Sequence, residues 1–420
     1  MKTATLRAAL PTATAATATA FALALTLACG TAAQAAAPQQ AAGRAAPDSA
    51  SLTSYRLAPG LLKITGGRTA GNPTQVHGVL GMPKGKGPHP VVVVVHGTHP
   101  NCVTAGKADA VARKPVTTHW PLVCAKPGVP ERGLGPDYLR HDVGLSHLVQ
   151  ALTRKGFVAV SIDVVSPEIW WGGETDPTKG YTDLVSAHLR LLADLNKGVD
   201  HGLRIPGVKG RIDTSRVGLV GHSRGGGYVL SPKAAKRAGL FGAVAIEPAE
   251  NAEPAPHKVP VLNIRGACDE DVQPDAGRAT MKALAKSGST KVAADVLLAG
   301  TGHRMINTNL APTDKGGGIG PCRPAKVAAP AAARAQTAQL TASFLSQALR
   351  KATAYRLPAL DGPTPKGGNL RKGGPAVTFR PARQEAFTDP RTIREVSSAQ
   401  RLLPAIPKSL KVNKRPDDGI

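Results

Sequence analysis

The chain has 420 residues, of which 42% are hydrophobic and 3% aromatic, and it carries a formal net charge of +25. A charge of this size governs partners and solubility rather than fold. The lysines and arginines are spread along the chain without an interleaved stripe of aromatic residues, which argues against specific nucleic-acid binding. We expect instead a general affinity for anionic polymers at a cell surface.

Residues 1–35 have the pattern of a secretory signal peptide. Lys2 and Arg7 give a positive start, an apolar run covers 20–28, and 33–35 is a small-x-small cleavage site. The apolar run is too short for a membrane anchor, and the residues before Cys29 fit a lipid-attachment site poorly. We predict cleavage at the end of this segment, an extracellular protein, and a mature charge of +23 once the two leader cations are removed.

Four cysteines remain after the leader is removed. An even number in an oxidising compartment predicts two disulfides, for which three connectivities exist. We favour Cys102 with Cys124 and Cys268 with Cys322, because each bond would hold a loop near the predicted site. The alternative is that some of these cysteines stay as free thiols.

Residues 36–54 are rich in Ala, Pro, Gln and Ser, which predicts a flexible linker before a catalytic domain at 55–351. Eight strands are predicted at 61–65, 75–81, 91–95, 157–162, 217–220, 241–246, 259–264 and 292–298. Helices are predicted at 138–155, 184–195, 223–237, 276–286 and 328–351. Residues 352–420 are basic and proline-rich with little periodicity, so they are expected to wrap on the domain or to be partly disordered.

The alternation of strands and helices predicts the fold class. The five consecutive valines of 91–95 are typical of a central strand that is buried on both faces. We predict an α/β domain with a mostly parallel, eight-stranded sheet that is covered by helices on both faces. The first two strands are expected to form an antiparallel hairpin.

The most specific motif is GHSRG at 221–225, between a predicted strand and a predicted helix. A serine on such a turn is held in strained backbone with its hydroxyl exposed, and the helix N-terminus beneath it favours negative charge. We therefore predict Ser223 to be a nucleophile. The alternative is a glycine-rich turn with a helix-capping serine.

A nucleophilic serine needs a general base, and the base needs an orienting acid. Asp269 and His303 each come just after a predicted strand, so they are expected at the same sheet edge as Ser223. We predict His303 to be the base and Asp269 the acid. Asp271 is the main rival acid, and Glu247, after the preceding strand, is a weaker one.

Acyl transfer also needs donors for a developing oxyanion. One N–H is expected from Arg224, directly after the serine. The other is expected from the loop after the valine strand, with the Thr98 backbone preferred and that of His99 as the next choice. His99 is also a candidate substrate-binding residue. The alternative for this loop is a plain turn.

Four motifs are shared with a known superfamily: HG at 96–97, GHSRGG at 221–226, GxxD at 266–269 and GH at 302–303. They resemble the α/β-hydrolases over about residues 60–350. The short oxyanion loop is similar to that of the dienelactone-hydrolase and bacterial cutinase, or polyesterase, branch. The resemblance implies a serine hydrolase that cleaves carboxylic esters without a cofactor. Arg224 stands where many lipid-active relatives carry Met, Leu or Gln, so a neutral acyl pocket does not follow.

The substrate is constrained by what surrounds the motifs. Only 247–258 lies where this fold often carries a cap domain, so we expect no large cap and an open site for small or polymeric esters. Trp170 and Trp171 lie on a loop at the same edge and would clamp an acyl or aromatic group, or simply pack.

Four histidines stand around the first crossover, at 89, 96, 99 and 119, but they lack co-ligands at metal-binding spacing, and no metal is predicted. Rival functions are an envelope acyltransferase with the same triad, a basic surface-binding protein that has lost catalysis, and a peptidase. The peptidase is less favoured because no gating domain fits. A monomer is expected.

Overall fold

The structure is a computed structural model. It describes residues 51–57, 76–99, 102–103, 111–112, 140–164, 178–249, 257–272, 276–287, 290, 292–310, 322, 327–352, 355–356, 369–370, 377–379 and 393–397. The predicted signal peptide, the predicted strand 61–65, Trp170 and Trp171 lie outside the described residues, and they stay predictions.

The strands are β1 (Leu52–Leu57), β2 (Val76–Gly81), β3 (His89–Val95), β4 (Cys102–Val103), β5 (Val111–Ala112), β6 (Val158–Ile162), β7 (Ile212–His222), β8 (Leu240–Ile246), β9 (Val261–Gly266), β10 (Ala293–Leu298), β11 (Tyr355–Arg356), β12 (Asn369–Leu370), β13 (Val377–Phe379) and β14 (Arg394–Ser397). The helices are α1 (Ser146–Arg154), α2 (Lys179–Lys197), α3 (Arg224–Val229), α4 (Pro232–Ala235), α5 (Arg278–Ser287) and α6 (Pro330–Leu349). Short 3₁₀ helices cover Val143–Leu145 and His303–Ile306.

One sheet of ten strands organises the described part of the chain, in the order β13-β10-β9-β8-β7-β3-β6-β2-β1-β14. The seven strands from β13 to β6 are all parallel to their neighbours. Strand β2 is antiparallel to β6, and β1 is antiparallel to β2. The predicted α/β class with a mostly parallel sheet is thereby confirmed.

The valine strand β3 lies in the middle of the sheet and divides the core into two layers. All five valines of 91–95 have no exposed surface. Val91 and Val93 point to the layer that includes α2, and Val92 and Val94 point to the layer that includes α1 and α6. Strand side chains alternate between faces, so this run can fill both layers only if helices cover both faces.

The first strand corrects the predicted linker. Strand β1 begins at Leu52, inside the segment 36–54, and its Leu52, Ser54 and Tyr55 side chains are buried. The linker-like composition of the preceding residues does not continue to residue 54, because a short strand whose apolar side chains pack on the core begins before that point. Strand β2 pairs antiparallel with β1, and the predicted hairpin of 61–65 with 75–81 stays a prediction because 61–65 lies outside the described residues.

The helix predicted at 223–237 is wrong in its length. It ends at Val229, and a separate short helix begins at Pro232. Ser231 caps the second helix, because its Oγ accepts a hydrogen bond from the Ala234 N–H at 3.3 Å. Proline has no N–H to donate and is tolerated only in a first helical turn, so the chain restarts there.

Two further boundaries differ from the prediction. Helix α1 begins at Ser146 rather than at 138, after the 3₁₀ turn 143–145. Among the described residues the sheet has ten strands rather than eight. Seven were predicted, β1, β13 and β14 were not, and the predicted strand 61–65 lies outside the described residues. Short edge strands without strong alternation carry no clear sequence signal, which is why the segment 352–420 was predicted as a tail.

Within the described ranges, no helix combines the length and the apolar character that crossing a bilayer would require.

The buried face of α2 offers a test of the core. Leu192 has no exposed surface, whereas Val199, just after the helix, is 51% exposed. Leu192→Ala should lower the free energy of unfolding by about 3 kcal/mol, because it removes buried methyl groups and leaves a cavity. Val199→Ala should change it by less than about 0.5 kcal/mol. Urea denaturation measures both, and equal effects would contradict the assigned packing of α2.

Candidate active site

The three predicted catalytic residues lie at one edge of the sheet. Ser223 follows β7, Asp269 comes three residues after β9, and His303 comes five residues after β10. These strands are parallel, so their carboxyl ends meet at the same edge. This is the edge where open α/β sheets carry their sites.

Ser223 stands on a sharp turn with strained backbone, as the motif predicted. Its φ is 58° and its ψ is −127°, a region that residues other than glycine rarely adopt. The turn is held by the Ser223 N–H, which donates to Ile246 O at 3.0 Å, and by the Ala249 N–H, which donates to Ser223 O at 3.0 Å. The Ser223 side chain makes no capping hydrogen bond to α3, which removes the alternative of a helix-capping serine.

Glycines on both sides allow the turn to be this tight. A Cβ at 221 would lie 2.0 Å from the carbonyl oxygen of residue 225, and a Cβ at 225 would lie 2.3 Å from Val95 O. Real Cβ atoms do not approach so closely, so both positions require glycine. The packing brings the N-terminus of α3 directly against the end of β3.

His303 and Asp269 form a buried hydrogen-bonded pair. His303 Nδ1 donates to Asp269 Oδ2 at 3.0 Å, and the two residues are 1% and 2% exposed. A carboxylate can only accept, so Nδ1 carries the proton and Nε2 is left as the basic nitrogen. This is the tautomer that a general base needs.

Asp271 and Glu247, the two alternative acids, do not make the hydrogen bond to His303 that Asp269 makes. Asp269 Oδ1 accepts hydrogen bonds from the N–H groups of Asp271 and Val272 at 3.0 and 2.8 Å. Asp271 thus supports Asp269 with its backbone. Glu247 is buried and closer than expected, with Oε2 at 3.8 Å from His303 Nδ1. Asp269 remains the nearer acid.

Buried imidazoles connect His303 to the residue before the serine. The ring centroids of His222 and His303 are 4.6 Å apart, and His222 Nε2 donates to His303 O at 3.1 Å. His99 packs on both, at 5.5 Å from His222 and 6.1 Å from His303. Burial, together with neighbouring histidines, lowers the pKa of His99 and of His222 well below the usual range. Both rings are therefore neutral at neutral pH.

The predicted oxyanion loop lies against the serine. A Cβ at Gly97 would be 2.7 Å from Ser223 Oγ and 3.1 Å from the Arg224 nitrogen. The backbone around Gly97 and the Arg224 N–H thus border the space next to the hydroxyl. Thr98 follows directly and is half-buried. Such a close approach of two turns favours the functional interpretation of this loop over a plain turn.

His96 holds this loop in place, a role that sequence reasoning missed. Its Nε2 accepts a hydrogen bond from the Val164 N–H at 2.9 Å. Nδ1 must then carry the proton, and it donates to Gly97 O at 2.7 Å. The only sequence signal was the HG pair itself. Asp163, whose Oδ1 lies 3.5 Å from His96 Nε2, was also missed, because a buried aspartate after a strand looks like a loop residue.

One of the two predicted disulfides is confirmed. Cys268 and Cys322 are bonded, with their Cα atoms 5.2 Å apart. Cys268 is fully buried and directly precedes Asp269, so the bond ties the acid-bearing loop to a distant segment. Cys124 lies outside the described residues, and its bond with Cys102 stays a prediction.

Two groups of side chains bring possible metal ligands within 4.8 Å of one another: His99, His222 and His303, and Glu247, Asp269 and His303. Metal binding uses lone pairs in the plane of the ring. The His99 and His222 rings are stacked, with planes at 30°, so their in-plane lone pairs do not converge on one point. In the second group His303 Nδ1 donates to Asp269. Neither arrangement favours an ion, and the predicted lack of a metal stays a prediction.

Comparison with protein-family models and with curated proteins found no match to the chain.

The Cys268–Cys322 bond offers a test of how the acid loop is held. It joins residues 54 apart in sequence. In the chain-entropy model the loss of such a cross-link costs about 4 kcal/mol. Cys268→Ala with Cys322→Ala should lower the free energy of unfolding by about 2 to 4 kcal/mol, measured by urea denaturation. A stability unchanged from that of the wild type would contradict a structural role for the bond.

Proposed function

We propose that this protein is a secreted serine hydrolase of α/β-hydrolase type that cleaves carboxylic esters through an acyl-enzyme. The observation that carries the proposal is the combination of a strained, uncapped Ser223 with the buried His303–Asp269 pair at the same sheet edge. The dienelactone-hydrolase and cutinase-like branch is proposed from the short loop at 96–99.

In the proposed reaction His303 acts alternately as general base and general acid. His303 Nε2 takes the proton from Ser223 Oγ, and the oxygen attacks the ester carbonyl. The backbone N–H groups of Arg224 and Thr98 stabilise the oxyanion of the tetrahedral intermediate. His303 then gives the proton to the leaving alcohol, and water, activated by the same imidazole, resolves the acyl-enzyme. Asp269 keeps His303 in the required tautomer throughout.

The short connection after β8 supports a proposal that the site is open and takes bulky or polymeric esters. The segment between β8 and β9, which covers 247–260, is too short for a cap domain. Arg224 is half-buried beside the serine and favours a polar or anionic group near the acyl end. His99 lies within the imidazole cluster, where it would border the bound ester. Secretion is proposed from the leader pattern, and the disulfide is compatible with it.

Ser223→Ala should abolish both hydrolysis of a short p-nitrophenyl ester and labelling by a fluorophosphonate probe, because it removes the nucleophile. Ser215→Ala is the matched control, since Ser215 is an exposed serine on β7, and it should keep the wild-type rate. Circular dichroism establishes that each variant is folded. Retained turnover in folded Ser223→Ala would refute the assignment.

The alternative functions predict other results in labelling and product analysis. A wild-type protein that is folded but never labelled is a binding protein without catalysis. Product analysis with a competing alcohol separates hydrolysis from acyl transfer to an envelope acceptor. A panel of esters of graded acyl length, with a polyester film included, defines the substrate.

Affinity for anionic polymers is proposed as a second property, and a basic cavity supports it. The cavity has a volume of about 1030 Å³ and lies where β3, β6 and β7 begin, opposite the serine edge. Its cationic lining residues are Lys84, Lys86, Arg154, Arg211 and Arg394. No carboxylate occurs among the described residues that line it. Clustered cations of this kind attract polyanions in a salt-dependent way.

Lys84→Glu with Lys86→Glu should weaken binding to polyphosphate at least about tenfold at low salt, while ester turnover stays unchanged, because the cavity and Ser223 lie at opposite edges. Lys236→Glu with Lys282→Glu changes the net charge equally on exposed residues outside the cavity and should have a smaller effect. Fluorescence titration measures both. Equal losses would show that only total charge matters.

A further inference from the structure

A second buried carboxylate lies beside the proposed base and has no part in the triad. Glu247 directly follows β8, is 1% exposed, and has left-handed backbone with φ 45°. Its N–H donates to Ile264 O of β9 at 2.6 Å, which holds the residue at the carboxyl edge of the sheet. A buried charge on strained backbone is costly, and such features concentrate at functional sites.

The Glu247 carboxylate stands close to two imidazole nitrogens. Its Oε2 is 3.8 Å from His303 Nδ1 and 3.5 Å from His222 Nε2. Both nitrogens carry a proton, because the first donates to Asp269 and the second donates to the backbone carbonyl of residue 303. Both N–H groups already donate elsewhere, so these contacts are electrostatic rather than hydrogen bonds, and they bring the positive ends of two N–H dipoles towards the carboxylate.

The neighbouring strand leaves room for this carboxylate. A Cβ at Gly266 would lie 2.2 Å from Glu247 Oε1, so only glycine permits the observed position. Gly266 ends β9 and opens the GxxD segment that carries Asp269. Two adjacent strands, β8 and β9, thus bring one acid each to the same imidazole.

We propose that Glu247 is a positioning residue that serves as a second acid for His303, sharing with Asp269 the stabilisation of the imidazolium formed during acyl transfer. The proposal rests on the proposed serine-hydrolase function. When the proton moves from Ser223 Oγ to His303 Nε2, the ring becomes cationic between two carboxylates. Attraction between charges in such a buried site is several times stronger than in bulk water.

The remaining groups that face His303 carry no opposing charge. His222 at the end of β7 and His99 after β3 are the imidazoles packed on its ring. Burial lowers the pKa of both, so they are neutral where the enzyme would work. Asp269 and Glu247 are therefore the charged neighbours, among the described side chains packed on the ring, that determine how readily His303 gains a proton.

The test is the rate at which a fluorophosphonate labels Ser223 as a function of pH, which requires the base but no known substrate. Glu247→Gln should slow labelling about tenfold at alkaline pH and move the acid limb about one unit to lower pH, because an imidazolium that loses an anionic neighbour deprotonates more readily. Glu270→Gln makes the same change on an exposed residue beside Asp269, and it should leave the profile unchanged.

A second comparison is made in a background that lacks the first acid. If Glu247 shares the role, adding Glu247→Gln to Asp269→Asn should slow labelling at least about tenfold further, because the remaining carboxylate beside His303 Nδ1 is then removed. Equal rates for the folded single and double variants would overturn the proposal. So would a folded Glu247→Gln protein whose profile superimposes on that of the wild type.

The two proposals fail in different ways. A wild-type protein that is never labelled refutes the serine-hydrolase function itself. A wild-type protein that is labelled normally, with an unchanged Glu247→Gln profile, refutes only the second acid.

Discussion

Ser223 keeps its left-handed backbone because glycine backbones press against the turn from two sides. The glycines at 221 and 225 let the strand and the helix cross at the turn, and Gly97 brings the neighbouring loop to the hydroxyl. Any Cβ at these positions would meet a backbone atom or the serine itself. The strain at Ser223 is therefore maintained by the packing of the central strands, and the loop at 97 and the Arg224 N–H are positioned by the same contact.

The parallel sheet also places the polar side chains of the candidate site next to one another. The imidazoles and carboxylates of the site follow five consecutive strands of the sheet, so they lie together at one buried edge. These strands are β10, β9, β8, β7 and β3. Crowded, buried histidines are kept neutral, so the cluster does not repel itself. Hydrogen bonds to carbonyls and carboxylates then decide which nitrogen of each ring carries its proton. For His303, the proton on Nδ1 makes Nε2 the basic nitrogen.

Much of this organisation is predictable from local patterns. The valine run indicated a central strand, and the positions of Asp269 and His303 after strands indicated one edge. Other features depend on contacts between distant residues. The hydrogen bond between His96 and Val164 needs β6 beside β3. The break between α3 and α4 reflects how Pro232 restarts the chain. The edge strands β13 and β14 carry too little periodicity to be recognised alone.

The amino-acid sequence by itself determined the order of the central strands and the strained serine turn, since both follow from residue types at short range. The four cysteines left three connectivities open, and the structure decided the pairing of Cys268 with Cys322. Tertiary structure alone decided which acids reach His303. Asp271 turned out to contribute its backbone N–H, and Glu247 came within 3.8 Å of the ring. That distance depends on the register of β8 against β9 and on the missing Cβ at Gly266, which no pattern along a single segment encodes.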